Sequence, residues 1–149
     1  MIKIICIGKL KERYLKDAID DYKKRISKYT KFEILELTDE KDTNNPLKKE
    51  KESILKHLKE KDNIVILDIN GVKKTSEEFS SFINKELNQN SNITFIIGSS
   101  NGLDNEIKNL SNKKISFSSL TFPHGLFRLI LLEQIYRSFK IINNETYHK

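Results

Sequence analysis

The sequence predicts an α/β protein in which a mostly parallel sheet carries helices on both faces. Three observations point there. Apolar runs rich in β-branched residues, Ile2 to Ile7, Ile64 to Ile69 and Ile93 to Ile97, lack polar alternation, as strands covered on both sides do. Between them lie segments with apolar residues at helical spacing, long enough to cross back over a sheet. The turn signals Gly8, Asn45-Pro46, Asn70-Gly71 and Gly98 to Gly102 fall at the joints. At 149 residues the chain reads as one domain, residues 1–149, with a single sizeable core.

Taken in order, the Ile2 to Ile7 strand ends at Gly8. Leu15, Ala18, Ile19, Tyr22 and Ile26 then form the stripe of an amphipathic packing helix. Phe32 to Leu37 alternates imperfectly with Glu33 and Glu36, which predicts a strand nearer the sheet's edge. Thr38 to Asn45 is a polar loop, and Pro46 is placed to open a helix from Leu47 to Lys61 whose stripe is only Leu47, Ile54 and Leu58. His57 is expected on its surface. The Ile64 to Ile69 strand stops at the Asn70-Gly71 turn. Thr75-x-x-Glu78 is a capping box for a helix to about Leu87, with Phe79, Phe82, Ile83 and Leu87 facing inward. Asn88 to Asn92 is a loop, followed by the Ile93 strand, the Gly98 loop, a short helix from Asp104 to Leu110 and a strand at Ile115.

Charge and composition narrow the class. Lys+Arg number 27 against Asp+Glu 21, a net +6 that suits a phosphate-rich partner, although many lysines sit beside glutamates and no clustered field is visible. The lysine-rich Leu47 to Lys61 segment reads as a solvated face as readily as an RNA surface. Cys6 is the only cysteine and sits in an apolar strand, so it is expected to be a buried small hydrophobe in a reducing compartment. No signal-like segment or run of membrane-spanning length is present, which predicts a soluble cytoplasmic protein. His57, His124 and His148 lie far apart, and no metal-ligand or nucleophile-elbow spacing occurs, so no metal is expected.

The last third holds the remaining chemistry. Gly98-Ser99-Ser100-Asn101-Gly102 can expose its amides to a small ligand, or be an ordinary tight turn. Pro123 suits the first turn of a helix, with Thr121 or Ser119 available as a cap. From Leu126 to Leu132 every residue but Arg128 is apolar, so this helix is expected to be buried all round, either as a central core helix or against a second copy of the chain.

Here the residues take a familiar form. Gly98-x-x-Asn101-Gly102-Leu103, Thr121-Phe122-Pro123-His124 with Arg128, Glu133-Gln134-x-Tyr136-Arg137 and the ending Tyr147-His148-Lys149 together resemble the ribosomal RNA large subunit methyltransferase H family. The likeness runs the length of the chain, starting with Ile5-Cys6-Ile7-Gly8-Lys9-Leu10-Lys11. The family's members are small SPOUT-class enzymes that methylate a pseudouridine of bacterial 23S rRNA with S-adenosylmethionine. Topology rules alone predict an unknotted doubly wound sheet; the resemblance implies a SPOUT fold with a C-terminal trefoil knot, working as a homodimer on the assembled 70S ribosome.

The resemblance also implies site residues. Leu67, Gly98, Phe117, Ser118, Ser119, Leu120, Thr121 and Phe122 would hold the cofactor, largely through main-chain groups, with Asn101 and Gly102 shaping the adjoining wall; Phe117 and Phe122 could equally be core packing. A sulfonium donor is already activated, so the enzyme must chiefly position the acceptor. The N3 imide of pseudouridine also carries a proton that must be taken or its anion stabilised. Arg128, Arg137 and His148 are the candidates. Glu133 would orient Arg137, although their spacing also fits an ordinary helix ion pair. Tyr147 would stack on the base, His148 assist deprotonation, and His124, Arg128 and Lys149 lie on the RNA side. A frayed end is what a terminal Tyr-His-Lys would otherwise predict. Two rival readings remain: a non-catalytic ribosome-associated binding protein, and a SPOUT enzyme acting on tRNA.

Overall fold

A computed structural model describes residues 1–40 and 43–149. Among them, β1 (Ile2–Ile7), β2 (Phe32–Leu37), β3 (Ile64–Lys73), β4 (Ile93–Ile97) and β5 (Lys114–Ser116) form one five-stranded sheet in the order β2-β1-β4-β3-β5. Every pairing in it is parallel. The helices α1 (Arg13–Ile26), α2 (Pro46–Lys56), α3 (Ser76–Asn90), α4 (Asn105–Lys108) and α5 (His124–Ile142) cover both faces. No helix of the described residues is long and apolar enough to cross a membrane.

Two cores, one on each face, follow from the strand period of two. Ile2, Ile4 and Cys6 of β1 pack with Ile19 of α1, Phe79 and Ile83 of α3, and Leu131, Leu132 and Ile135 of α5. Ile5 and Ile7 point the other way, onto Ile54 of α2 and Ile107 of α4. A one-residue slip of β1 would exchange the two sets, and at about 2 kcal/mol per fully buried Ile the register is strongly fixed. Cys6 is fully buried, and burial pushes its thiol up to about 12, as an inert core residue requires.

Several sequence expectations hold. The half-exposed β2 is an edge strand, Pro46 opens α2, and Thr75 Oγ accepts from Glu78 N (3.1 Å) while Glu78 Oε2 accepts from Thr75 N (2.8 Å), completing the capping box. Others need correction. α2 stops at Lys56 rather than Lys61, beyond the reach of its weak stripe, and α3 runs on through the expected loop to Asn90, where Ser91 takes a left-handed φ of 61°. Pro123 is the N-cap of α5, and no side chain caps that helix, so neither Thr121 nor Ser119 serves as expected. The Thr38 to Asn45 loop includes Lys41 and Asp42, which lie outside the described residues.

The largest correction is β3. Asn70-Gly71 is not its end: the strand continues to Lys73 after a register break in which both Leu67 and Val72 pair with Ile115 of β5. Gly71 is required because a Cβ there would sit 2.6 Å from the Ile115 nitrogen and 2.7 Å from the Lys114 carbonyl carbon. The β3 excursion and β5 therefore touch backbone to backbone, a contact a local turn signal cannot reveal.

Candidate active site

The loops after β4 and β5, together with the β3 break, share the carboxyl edge of the sheet, where open parallel sheets bind ligands. After β4 the chain turns at Ser99-Ser100-Asn101-Gly102, closed by Gly102 N donating to Ser99 O at 2.9 Å, with Gly102 at φ +80°. A Cβ on Gly98 would lie 2.5 Å from Gly102 O, so the first glycine is demanded by the turn itself. Beneath it, Glu50 of α2, 2% exposed, accepts from Ser99 Oγ at 3.0 Å.

After β5, residues 117–122 follow no regular structure. Leu120 is 70% exposed, its N–H donating to Ser118 Oγ at 3.0 Å. Among the described residues, Ser119, Thr121 and Phe122 donate no main-chain N–H to another main-chain carbonyl. Lys73 Nζ donates to Ser119 Oγ and so ties this loop to the end of β3. Phe117 lies edge-on to Phe79 at 5.3 Å and 5.5 Å from Phe127, so it packs as core whatever else it lines. Leu67 is buried at the break.

A second cluster forms where the chain end returns to α5. Glu133 Oε1 accepts from Arg137 Nε (3.0 Å), Arg137 Nη2 (2.5 Å) and Tyr147 Oη (3.1 Å); its Oε2 accepts from Gln134 Nε2 (2.8 Å). Gln134 Oε1 accepts from Ser76 Oγ at 2.8 Å, joining α5 to the start of α3. The Arg137 guanidinium lies 4.8 Å from the Tyr147 ring centroid, and that ring meets Tyr136 edge-on at 4.9 Å. Burial, then the Tyr22 hydrogen bond and the Glu133 charge, raise the Tyr147 phenol above its ordinary range, so it stays neutral. The tail is thus anchored rather than frayed.

His148 is held at both nitrogens: Nδ1 is 3.1 Å from Arg137 Nη1 and Nε2 is 2.7 Å from Glu77 Oε1. A guanidinium only donates and a carboxylate only accepts, so Nδ1 carries the lone pair and Nε2 the proton. This is the neutral Nε2–H tautomer. Its one basic nitrogen faces Arg137, so accepting a substrate proton requires that contact to open.

Arg128 goes elsewhere. It is 1% exposed, with Nη1 donating to Glu36 (2.8 Å) and Nη2 to Gly8 O (3.0 Å), which clamps α5 to the ends of β1 and β2. The RNA contact expected of Arg128 thus falls on a side chain whose guanidinium is already engaged inside the protein. The half-buried His124 ring lies over Gly8, whose added Cβ would meet Nε2 at 3.0 Å, and Lys149 ends the chain exposed.

Comparison with known proteins places this geometry. A family model described as "Predicted SPOUT methyltransferase" matches residues 1–148. Proteins named "Ribosomal RNA large subunit methyltransferase H" are 49% identical in Caldicellulosiruptor saccharolyticus, covering 100% of both chains, and 51% identical in Clostridium botulinum strain Okra, covering 99% of both. A Methanococcus maripaludis protein with that name, qualified as putative, is 52% identical over 99% of both.

The chain belongs to the ribosomal RNA large subunit methyltransferase H family. A probable methylase family protein from Haemophilus influenzae Rd KW20 shares the fold at a TM-score of 0.55 and 11% identity, over 99% of this chain and 70% of that one. As a SPOUT methyltransferase the protein is an enzyme, and SPOUT methyltransferases use S-adenosylmethionine. The carboxyl edge fits such a group: the irregular 117–122 segment leaves main-chain amides for an adenine, and exposed Leu120 offers apolar cover. Sequence reasoning missed Glu77 and Glu50. Glu77 looked like an ordinary acid in the first turn of a helix. Glu50 did carry a signal: residues 47, 50, 54 and 58 share the helical spacing of the inward stripe.

Proposed function

We propose that this protein transfers a methyl group from S-adenosylmethionine to N3 of a pseudouridine in 23S rRNA, with the assembled 70S ribosome as substrate. The observation that carries this reading is full-length identity near one half to proteins named for that rRNA subunit's methylation. It acts as one domain, residues 1–149, in a cytoplasmic homodimer. The dimer is supported by α5, which leaves Leu126 exposed and Leu129 and Ile130 half-buried although nearly every neighbour is apolar. A trefoil knot, which the family implies, is in keeping with the close backbone approach at Gly71, where the β3 excursion meets β5.

In this reading Gly98 and the main chain of Phe117, Ser118, Ser119, Leu120, Thr121 and Phe122 hold the cofactor, and Leu67 sets where β3 breaks to make room. The bound cofactor supplies an electrophilic methyl group. Tyr147 offers a ring to the target base, and Lys149 and His124 lie toward the RNA. Arg137 stabilises the N3 anion as its proton leaves, while Glu133 holds the guanidinium in place. His148 takes the proton on Nδ1 once the incoming base displaces Arg137 from it.

Methyl incorporation into 70S particles, isolated subunits and tRNA, measured side by side, tests the reading. Labelling of 70S particles is expected. Labelling of tRNA instead, or calorimetry showing no S-adenosylmethionine binding, would replace it with one of its rivals.

A further inference from the structure

We propose that Glu77, at the start of α3, is a positioning residue for methyl transfer that fixes the ring orientation and tautomer of His148. The inference rests on the reading above that the tail serves the reaction, and it adds a residue distant in sequence from the C-terminal cluster.

Glu77 Oε1 and Arg137 Nη1 address opposite nitrogens of one imidazole, at 2.7 and 3.1 Å. The two demands are complementary: the carboxylate requires an N–H at Nε2, and the guanidinium requires a lone pair at Nδ1. Flipping the ring leaves neither contact at its present nitrogen. Moving the proton to Nδ1 sets it against an Arg137 N–H and sets a lone pair against the carboxylate. The hydrogen bond from His148 holds the Glu77 carboxyl below its ordinary range, so it is ionised at neutral pH and can only accept.

The same carboxylate ties the chain end to α3, whereas Tyr147 is tied to α5 through Glu133. Without that carboxylate the His148 ring would keep only the Arg137 contact, about which it can turn, and a poorly aimed basic nitrogen is a poor proton acceptor. The helix cap is made by Thr75 and Glu78, so replacing Glu77 leaves the capping box in place.

The experiment compares wild type, Glu77→Ala, Glu77→Gln and His148→Ala as full-length protein. It reads histidine ring-nitrogen spectra (long-range proton–nitrogen correlation, with His148 assigned by its absence in His148→Ala), kcat and KM on 70S particles, and calorimetric affinity for S-adenosylmethionine. Glu77→Ala is expected to alter the His148 nitrogen signals and to lower kcat by about tenfold with cofactor affinity unchanged. Glu77→Gln, whose amide oxygen still accepts from Nε2–H, is expected to restore both. Unchanged His148 signals and unchanged kcat in Glu77→Ala, with His148→Ala inactive, overturn the role of Glu77 alone. Full activity in His148→Ala overturns it together with the reading of the tail. A Glu77→Gln variant as damaged as Glu77→Ala overturns the tautomer argument.

Discussion

Two buried glutamates sit at opposite edges of the sheet and meet opposite conditions. At the amino edge Glu86, 4% exposed, accepts from Lys113 Nζ at 2.7 Å, Asn63 Nδ2 at 2.8 Å and Asn90 Nδ2 at 3.1 Å. Burial alone would raise its carboxyl, but the Lys113 and Asn63 hydrogen bonds outweigh that and hold it below the usual range. At the carboxyl edge Glu50 has a hydroxyl from Ser99 and a long contact of 3.4 Å from Glu40 N, with Asp39 as an acidic neighbour. Burial wins there and raises its carboxyl. Similar burial with opposite sign separates an edge where, among the described residues, a lysine and two amides satisfy the acid from one where a hydroxyl and a long amide contact do not offset burial.

The largest expected effect lies at the stable edge. Glu86→Ala removes the acceptor shared by Lys113, Asn63 and Asn90, and should cost about 3 kcal/mol in urea unfolding. Cofactor affinity should not change. The wild-type contribution is present above the unfolded glutamate value of about 4.3 and is lost as pH falls through the lower folded value. A variant as stable as wild type, or one that binds S-adenosylmethionine weakly, would erase the division between the edges.

Next comes the turn over Glu50. Gly98→Val must push its Cβ into Gly102 O, and should cost about 2 kcal/mol while abolishing cofactor binding. Gly102→Ala is the control. Its Cβ meets nothing within 4 Å, so only the φ of +80° opposes it, at about 1 kcal/mol. If Gly98→Val retains cofactor affinity by calorimetry, the turn is not part of the pocket wall.

What was legible in the sequence divides along physical lines. Local signals held: unbroken apolar runs gave buried strands, the alternation in Phe32 to Leu37 gave an edge, and Thr75 with Glu78 gave a cap. Contacts distant in sequence did not show. Asn70-Gly71 reads as a turn because nothing local says that β5 presses on Gly71 from more than forty residues away. Arg128, a lone charge in an apolar helix, invites a functional role, yet Glu36 and Gly8 claim it from the far end of the chain. The tail reads as frayed by default, and its partner Glu77 lies 71 residues upstream.

A smaller effect, of opposite sign to Glu86→Ala, is expected at Glu50. The wild-type protein should lose stability as pH rises from about 4.3 through the raised folded value, because the unfolded chain gives up this proton first. Glu50→Gln removes that slope while its amide oxygen still accepts from Ser99, so its stability at neutral pH should equal or exceed wild type by up to about 1 kcal/mol. Urea midpoints across pH decide it; a variant with the wild-type slope would show that another group titrates.

The smallest effect on folding should come from the residue placed nearest the chemistry. His148 is the penultimate residue and packs in neither core, and its partner Glu77 is well exposed, so His148→Ala should leave the melting temperature where it was. Cofactor affinity should also persist, because the 117–122 loop and the Gly98 turn do not touch the tail's hydrogen bonds. Turnover should fall, since Arg137 alone can stabilise the anion but cannot take its proton. Equal loss of cofactor affinity and turnover would instead make His148 a strut between α3 and α5. The tail would then belong with Glu86, on the side of stability.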